Sequence, residues 1–212
     1  MITALISDFG GVLTSPLLGA LERFNDQLGV TADDFRRAMA RATEEHGEHP
    51  LFALERGQIT EREFLDRLER GLRELRGREV DLSRMAELLM AHLHPNEELF
   101  AYYRRLRAAR GLRLGILTNN VREWEPLWRS KLPIDEIFDD VVDSAFVGMR
   151  KPEPEIYALA LERLGVEAGS CAFVDDTELN VDAARELGFH AVHFRDTAQA
   201  IAELEALLAE GA

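Results

Sequence analysis

Hydrophobic and polar positions follow two different periods along the chain. Residues 2–7 form a short apolar run that ends at Asp8 and a pair of glycines. Such a run predicts a buried strand that breaks into a tight turn. From about residue 17 to 92, apolar residues recur every three or four positions, as they do on one face of a helix. The sequence therefore predicts one strand followed by a block of helices.

The helical block carries two helix-start signals and three apolar stripes. Thr31 with Asp34, and Thr60 with Glu63, have the spacing of capping boxes, which predicts that the second and third helices begin there. A fourth helix is predicted from about residue 83 until the proline at 95. The stripes consist of Leu17, Leu21, Phe24 and Leu28; of Phe35, Ala38, Met39 and Ala42; and of Phe64, Leu68, Leu72 and Leu75.

Beyond residue 95 the pattern alternates between helical segments and short apolar runs. Strands that alternate with helices and are apolar on both faces form buried parallel sheets, so the sequence predicts the α/β class. The helical block is then a cap over 15–89, inserted after the first strand of a core that covers 1–14 and 90–212. The predicted helices are 97–110, 154–164, about 179–187 and the C-terminal segment, and the predicted strands are 112–117, the neighbourhood of 141–142, 171–174 and 190–194.

Composition and charge exclude several classes of partner. The 212 residues include 39 acidic and 25 basic side chains, and the resulting charge of −14 argues against nucleic acid or an anionic membrane as a partner. The N-terminus lacks the basic region of a signal peptide, and the single cysteine, Cys171, suits a reducing compartment. We therefore expect a cytoplasmic protein that is a monomer or a homodimer.

Polar side chains stand where several predicted strands end. Asp8 follows the first strand, Thr118 and Asn119 follow the next, and Asp175 with Asp176 ends a later one. Lys151 comes shortly after the strand near 141–142. Each residue alone has an ordinary explanation as a turn former, helix cap or surface charge. Because ligands bind at the carboxyl ends of parallel strands, the joint pattern favours a functional site at that edge.

These residue types indicate phosphoryl chemistry assisted by a divalent cation. Clustered carboxylates repel one another in a cleft and must take up a proton or a cation. Mg²⁺ prefers a few carboxylate oxygens and fills its other positions with water or phosphate oxygens. A lysine and a hydroxyl can then hold a phosphoryl group, and an aspartate can act as its nucleophilic acceptor.

Four sequence strings resemble the motifs of the haloacid dehalogenase superfamily, in that family's order. The resemblance is closest to the subgroup that includes the N-terminal phosphatase domain of soluble epoxide hydrolase. It implies a Rossmann-like three-layer core with a parallel sheet and a helical cap of the C1 type. It also implies a hydrolase acting on a small phosphorylated metabolite. The strings are DFGGVLTSP, GILTNN, GMRKPEPEIY and FVDDTELNVDAARELG.

The resemblance also implies a role for each residue that matches a motif. Asp8 would be the nucleophile that forms an aspartyl-phosphate. Thr118 and Asn119 would bind the phosphoryl group, and Lys151 would neutralise charge on the nucleophile and the phosphate.

The same motifs imply a Mg²⁺ site. Asp8 and Asp176 would be direct ligands, together with the backbone carbonyl of Gly10. Asp175 would bind the metal directly or through water, and Asn180 would lie just outside the ligands.

Gly10 departs from the pattern of the family's phosphatases, which usually carry a second aspartate there as general acid and base. General acid–base help is typically worth about 10²–10⁴-fold in rate. We therefore expect a slow phosphatase, one that uses a proton from substrate or water, or a chain whose phosphatase activity has lapsed.

Two alternatives remain open at this point. A metal-independent 2-haloacid dehalogenase would attack carbon with the same Asp8 and would also lack the second aspartate. A carboxylate substrate, however, would meet Asp175 and Asp176 with no cation beside them. A non-catalytic protein that keeps the fold and binds a phosphorylated ligand is the other alternative.

Overall fold

Five parallel strands form the central sheet. A computed structural model describes residues 1–210, apart from the side chains of Leu18 and Glu210. Every neighbouring pair of strands is parallel, so the predicted α/β class with a Rossmann-like parallel sheet is confirmed. The strands are β1 (Ala4–Ser7), β2 (Arg113–Thr118), β3 (Asp140–Asp143), β4 (Cys171–Asp175) and β5 (His190–His193), in the spatial order β3-β2-β1-β4-β5.

Helices fill the long connection after β1 and cover the rest of the sheet. Among the described helices, none has the length and apolar character that crossing a membrane requires. Between β1 and β2 lie α1 (Leu17–Leu28), α2 (Ala32–His46), α3 (Pro50–Glu55), α4 (Glu61–Arg76), α5 (Met85–Ala91) and α6 (Glu97–Arg110). After β2 come α7 (Glu125–Arg129), α8 (Ser144–Val147), α9 (Pro154–Leu164), α10 (Glu178–Glu186) and α11 (Thr197–Glu210). The division into a core and a cap stays a prediction, and positions 211–212 of that core lie outside the described residues.

Both predicted capping boxes are confirmed. The Thr31 hydroxyl accepts a hydrogen bond from the amide of Asp34, whose carboxylate accepts one from the Thr31 amide. Thr60 and Glu63 make the same reciprocal pair at the start of α4. Each cap satisfies backbone N–H groups that the helix itself cannot, which stabilises it by about 1 kcal/mol.

The fourth predicted helix is shorter than expected. It covers only α5, which follows a turn at residues 83–84 and ends at Ala91. The Asp81 carboxylate accepts the Ser83 amide hydrogen bond ahead of the helix. Beyond it the chain extends toward a β-bridge between Pro95 and Thr14. The predicted helices and strands after residue 95 lie within one residue of their observed bounds.

The sheet separates two hydrophobic clusters, which makes the core three-layered. On one face, Ile6, Leu117 and Phe173 pack with Tyr157 of α9. On the other face, a larger cluster runs without interruption from the sheet into α1–α5. The helical block is therefore packed onto the core by apolar contact. Each fully buried large side chain in this contact contributes about 1.5–3 kcal/mol.

Asp143 is a buried carboxyl at the carboxyl end of β3. Its Oδ1 accepts a hydrogen bond from the Ala145 amide, which caps α8, while Oδ2 is buried and finds no partner among the described residues. Burial raises the pKa of Asp143 from its ordinary 3.8 to about 6, although the Ala145 amide acts in the opposite direction. The ionised form of Asp143 therefore destabilises the folded state.

Asp143→Asn removes this cost and its pH dependence. Between about pH 4 and 6 the unfolded wild-type chain loses a proton that the folded chain retains, so the wild type loses stability as pH rises. The free energy of unfolding of the variant should therefore gain on that of the wild type across this interval, by up to about 3 kcal/mol. Urea unfolding at pH 4, 5, 6 and 7 measures the difference. The exposed Asp182→Asn is the control, and parallel curves for wild type and Asp143→Asn would contradict the assignment.

Candidate active site

The carboxyl ends of three adjacent strands bring the candidate residues together. Asp8 directly follows β1, and its amide donates a hydrogen bond to the Val174 carbonyl of β4 at 2.8 Å. Thr118 is the last residue of β2, and Asp175 is the last residue of β4. Because β1 lies between β2 and β4, these side chains share one edge of the sheet.

Lys151 joins the site from the loop before α9, and its ammonium is buried. Its Nζ lies 2.9 Å from Asp8 Oδ1 and 2.6 Å from Asp175 Oδ2. The Lys151 side chain is 1% exposed, and the Asp8 and Asp175 side chains are 11% and 0% exposed. A lysine removed from water this completely requires charged partners, which the two aspartates supply.

Asn119 holds the backbone of Lys151 in place. Its Nδ2 donates to the Lys151 carbonyl at 3.0 Å, and its Oδ1 accepts from the Lys151 amide at 2.8 Å. The side-chain amide of Asn119 is thus bonded at both ends to a residue 32 positions further along the chain. The role expected for Asn119 is phosphoryl binding, and this contact with the Lys151 backbone was not predicted.

Three carboxylates crowd the same small volume. Asp8, Asp175 and Asp176 each place an oxygen within 4.8 Å of the others. Burial raises the pKa of Asp8 to about 7; Lys151 lowers it, and the other two aspartates raise it further. Burial and the charge of Asp175 likewise raise the pKa of Asp176.

Lys151 responds to the same cluster in the opposite sense. Burial lowers the pKa of Lys151, but the charges of Asp175 and Asp8 outweigh burial and hold that pKa above its usual range. The lysine therefore stays protonated, and one ammonium faces three carboxyl groups. The cluster has an excess of negative charge that a bound cation would balance.

Asp175 has both oxygens occupied by hydrogen-bond donors. Its Oδ1 accepts from the Thr177 amide at 2.8 Å and from Asn180 Nδ2 at 3.0 Å. Asn180 Nδ2 also lies 3.2 Å from Oδ2, which already accepts from Lys151. Asn180 therefore contacts the Asp175 carboxylate, and its role just outside the metal ligands stays a prediction.

Asp176 and Gly11 approach each other closely. A Cβ built on Gly11 would lie 2.0 Å from Asp176 Oδ2, and the φ of Gly11 is +81°. Both facts require glycine at position 11 for Asp176 to keep this position. The sequence predicts only a tight turn at this glycine.

His193 makes a third contact that the sequence did not predict. Its Nε2 lies 3.1 Å from the backbone carbonyl of Asp176 and, as the N–H tautomer, donates a hydrogen bond to it. A strand histidine carries no sequence signal for such a contact, because the contact joins β5 to the loop after β4.

Thr118 and Gly10 complete the predicted set. Thr118 is 1% exposed at the end of β2. The backbone of Gly10 is partly exposed, and a Cβ built there meets no heavy atom within 4 Å. The structure therefore has room for a side chain at position 10, although the sequence has glycine there.

The helical block contacts the same edge through ion pairs. Glu55 of α3 lies 2.6 Å from Arg150, the residue before Lys151, and both side chains are 14% exposed. Arg56 pairs with Glu153 in the same loop. The block is thus bonded directly to the segment that carries the buried lysine.

The chain belongs to the haloacid dehalogenase-like hydrolase family, whose model matches residues 2–188. The resemblance inferred from the four motifs is thereby confirmed. The roles of individual residues stay predictions.

Similar proteins include enzymes with several different names. Acyl-CoA dehydrogenase family member 10 of Mus musculus is 31% identical over 208 residues, covering 97% of this chain and 19% of that protein. Bifunctional epoxide hydrolase 2 of Rattus norvegicus is 26% identical over 212 residues, covering 93% of this chain and 37% of that protein. Glyceraldehyde 3-phosphate phosphatase of Pyrococcus abyssi is 36% identical over 108 residues, 45% of this chain and 44% of that protein. The chain spans about a fifth and just over a third of the length of the first two relatives.

A solved structure shares the fold along nearly the whole chain. It is a haloacid dehalogenase family enzyme from Bacteroides thetaiotaomicron in complex with magnesium and inorganic phosphate. The two chains superpose with a TM-score of 0.66 at 23% identity, covering 92% of this chain and 95% of that one.

Proposed function

We propose that the protein is a Mg²⁺-dependent phosphatase that hydrolyses a small phosphate monoester through an aspartyl-phosphate on Asp8. One observation carries the proposal: three carboxylates within 4.8 Å of one another, two of them bonded to a buried lysine. The phosphatase of Pyrococcus abyssi supports the choice of a phosphate monoester. The helices over 15–89 would act as the cap that covers the site.

The donor set fits a small, hard dication. Asp8, Asp176 and the Gly10 carbonyl would hold Mg²⁺ directly, as hard oxygen ligands. Asp175 would act through water, because both of its oxygens already accept hydrogen bonds. The bound ion would supply positive charge beside the phosphoryl group, as magnesium does in many phosphoryl-transfer sites. The similar Bacteroides enzyme was crystallised with magnesium and phosphate, and we extend that pairing to this chain.

Asp8 is the nucleophile of the proposed reaction. One of its carboxylate oxygens bonds to phosphorus as the bond from phosphorus to the alkoxide oxygen breaks, and the alkoxide takes a proton from water. A second water then attacks phosphorus and gives a proton to the hydroxide left by the first water, the bond from phosphorus to Asp8 breaks, and inorganic phosphate leaves.

Lys151 and the end of β2 stabilise charge in both steps. Lys151 remains protonated beside Asp8 and neutralises the nucleophile and the phosphoryl oxygens. The Thr118 hydroxyl would bind the phosphoryl group. Asn119 would contribute its backbone N–H, because its side chain is already bonded to Lys151.

Asp8→Asn tests the nucleophile. Phosphate release from small monoesters with Mg²⁺ should fall by about 10³-fold or more, since no acyl phosphate can form on the variant. Asp182→Asn, an exposed carboxylate on α10, should release phosphate as the wild type does.

Three results would overturn the proposal. Equal phosphate release by Asp8→Asn and the wild type would remove Asp8 from the reaction. Chloride release from a 2-chloro acid in EDTA would favour the dehalogenase alternative, which would also lack an aspartate at the position of Gly10. Binding of Mg²⁺ and a phosphate analogue with no turnover of any monoester would favour the non-catalytic alternative.

Gly11→Ala tests the metal site without relying on activity. The new methyl group displaces the Asp176 carboxylate, so the rise in melting temperature produced by Mg²⁺ should need at least about tenfold more metal. The positive φ should itself cost about 1–3 kcal/mol of stability. Gly47→Ala is the matched control, because its φ is +77° and its Cβ would meet nothing within 4 Å. Equal Mg²⁺ responses of the two variants would place the metal elsewhere.

Gly10→Asp tests the consequence of the missing acid. The site has room for the side chain, and a carboxyl there can protonate the leaving alkoxide. The variant should turn over alkyl phosphates at least about tenfold faster than the wild type, toward the range that general acid catalysis supplies. Gly10→Asn has nearly the same shape and no acid, and it should show no gain. A gain shared by both variants would show that the effect is not proton transfer.

A further inference from the structure

A cavity of about 200 Å³ lies between the helical block and the carboxyl edge of the sheet. One end of it is lined by Gly10 and by Thr118 and Asn119, the two residues that bind the phosphoryl group in the proposed reaction. The walls that extend away from that end come largely from the helical block and are apolar, among them Leu17, Leu21, Met39, Leu54, Phe64 and Met90.

The walls offer almost nothing to a polar or charged substrate body. Glu55 is the charged side chain among the described lining residues, and its carboxylate is already paired with Arg150 at 2.6 Å. A hydroxylated or anionic body would lose its hydrogen bonds to water without replacing them along the apolar walls. An alkyl or prenyl body makes no hydrogen bonds to water that it could lose, and burial of its apolar surface favours binding.

We propose that this cavity holds the uncharged hydrocarbon body of the substrate, so that the enzyme acts on monophosphates of medium-length apolar alcohols. The inference rests on the proposed function, whose reacting end adjoins the cavity. An apolar cavity of about 150 Å³ accommodates benzene, so one of this size accommodates about six to ten carbon atoms.

The methionines that line the cavity should let it accept substrate bodies of different shapes, but not of any length. Three of the five methionines in the chain, Met39, Met85 and Met90, line it. Unbranched thioether side chains adapt to irregular surfaces, so linear and branched bodies of similar size should both fit. The volume, in contrast, sets an upper limit on length.

A chain-length series tests the proposal. With Mg²⁺ present, kcat/KM for n-alkyl phosphates should rise about fourfold per methylene from ethyl to about octyl, since that is the worth of one buried methylene. It should level off or fall by dodecyl. Glycerol phosphate, with a polar body of similar length to propyl phosphate, should be a poorer substrate than propyl phosphate. A series that is flat, or one that falls from ethyl onward, would overturn the proposal.

Two substitutions of one lining residue should move the optimum in opposite directions. Met39→Trp reduces the volume and should shift the optimum to shorter chains by about two or more carbons, while Met39→Ala should shift it to longer ones. If Met39→Trp fails to fold, Met39→Ala alone still decides, because an unchanged optimum would mean that the body lies elsewhere.

Binding of n-alkylphosphonates separates this inference from the proposed reaction, because these analogues cannot be hydrolysed. Calorimetric affinity with Mg²⁺ should rise with chain length in the wild type, and Met39→Ala should extend that rise. A rising affinity without turnover of any phosphate would uphold the apolar site and refute the phosphatase. Turnover with no dependence on chain length would uphold the phosphatase and refute the apolar site.

Discussion

The ammonium of Lys151 is buried between the carboxylates of Asp8 and Asp175, and the carboxyl edge of the sheet is organised around it. An ammonium at 1% exposure is tolerable only when its partners are fixed, because removing one partner of a buried pair leaves an uncompensated charge. The surrounding contacts provide this fixation. Asn119 bonds the lysine backbone, and Asn180 with the Thr177 amide orients Asp175. Residues that carry no charge thus set the geometry of the charged ones.

The same interaction leaves the site unbalanced in charge. Lys151 compensates one of the three clustered carboxylates, and burial, together with repulsion among the aspartates, raises the pKa values of Asp8 and Asp176. A divalent cation would remove this repulsion and would make the site attractive to a phosphate group, even on a chain with a net charge of −14. The acidic composition argued against nucleic acid as a partner. It does not argue against a phosphorylated substrate, because the local charge at the site depends on Lys151 and on a bound cation.

The sequence predicts the parts of this arrangement that depend on neighbours along the chain. The capping boxes at Thr31 and Thr60 and the helix over 154–164 follow from local spacing, and the structure agrees with them. The strand ends could be predicted too, because a parallel sheet brings its carboxyl edges together. What escaped prediction depends on contacts between distant segments. Asn119 contacts Lys151, which lies 32 positions further along the chain, and His193 contacts the carbonyl of Asp176, 17 positions earlier. Gly11, in the first of the four motifs, lies so close to Asp176, in the last, that a Cβ on Gly11 would collide with it. The early end of α5 has the same origin, since the bridge between Thr14 and Pro95 competes with helical continuation.

The helical block bonds to the loop that carries Lys151 as well as packing against the sheet. Glu55 contacts Arg150, and Arg150 is covalently next to Lys151, so a movement of α3 away from the core would break an ion pair adjoining the reacting groups. In the proposed reaction, the apolar walls would exclude water, which would strengthen the attraction between Lys151 and its carboxylate partners. A hydrocarbon body that fills the cavity would complete this exclusion, whereas a polar body would bring water with it. In the proposed reaction, burial of the substrate body in the apolar cavity would lower the local dielectric constant around Asp8 and Lys151, so the cavity and the charged edge would act together.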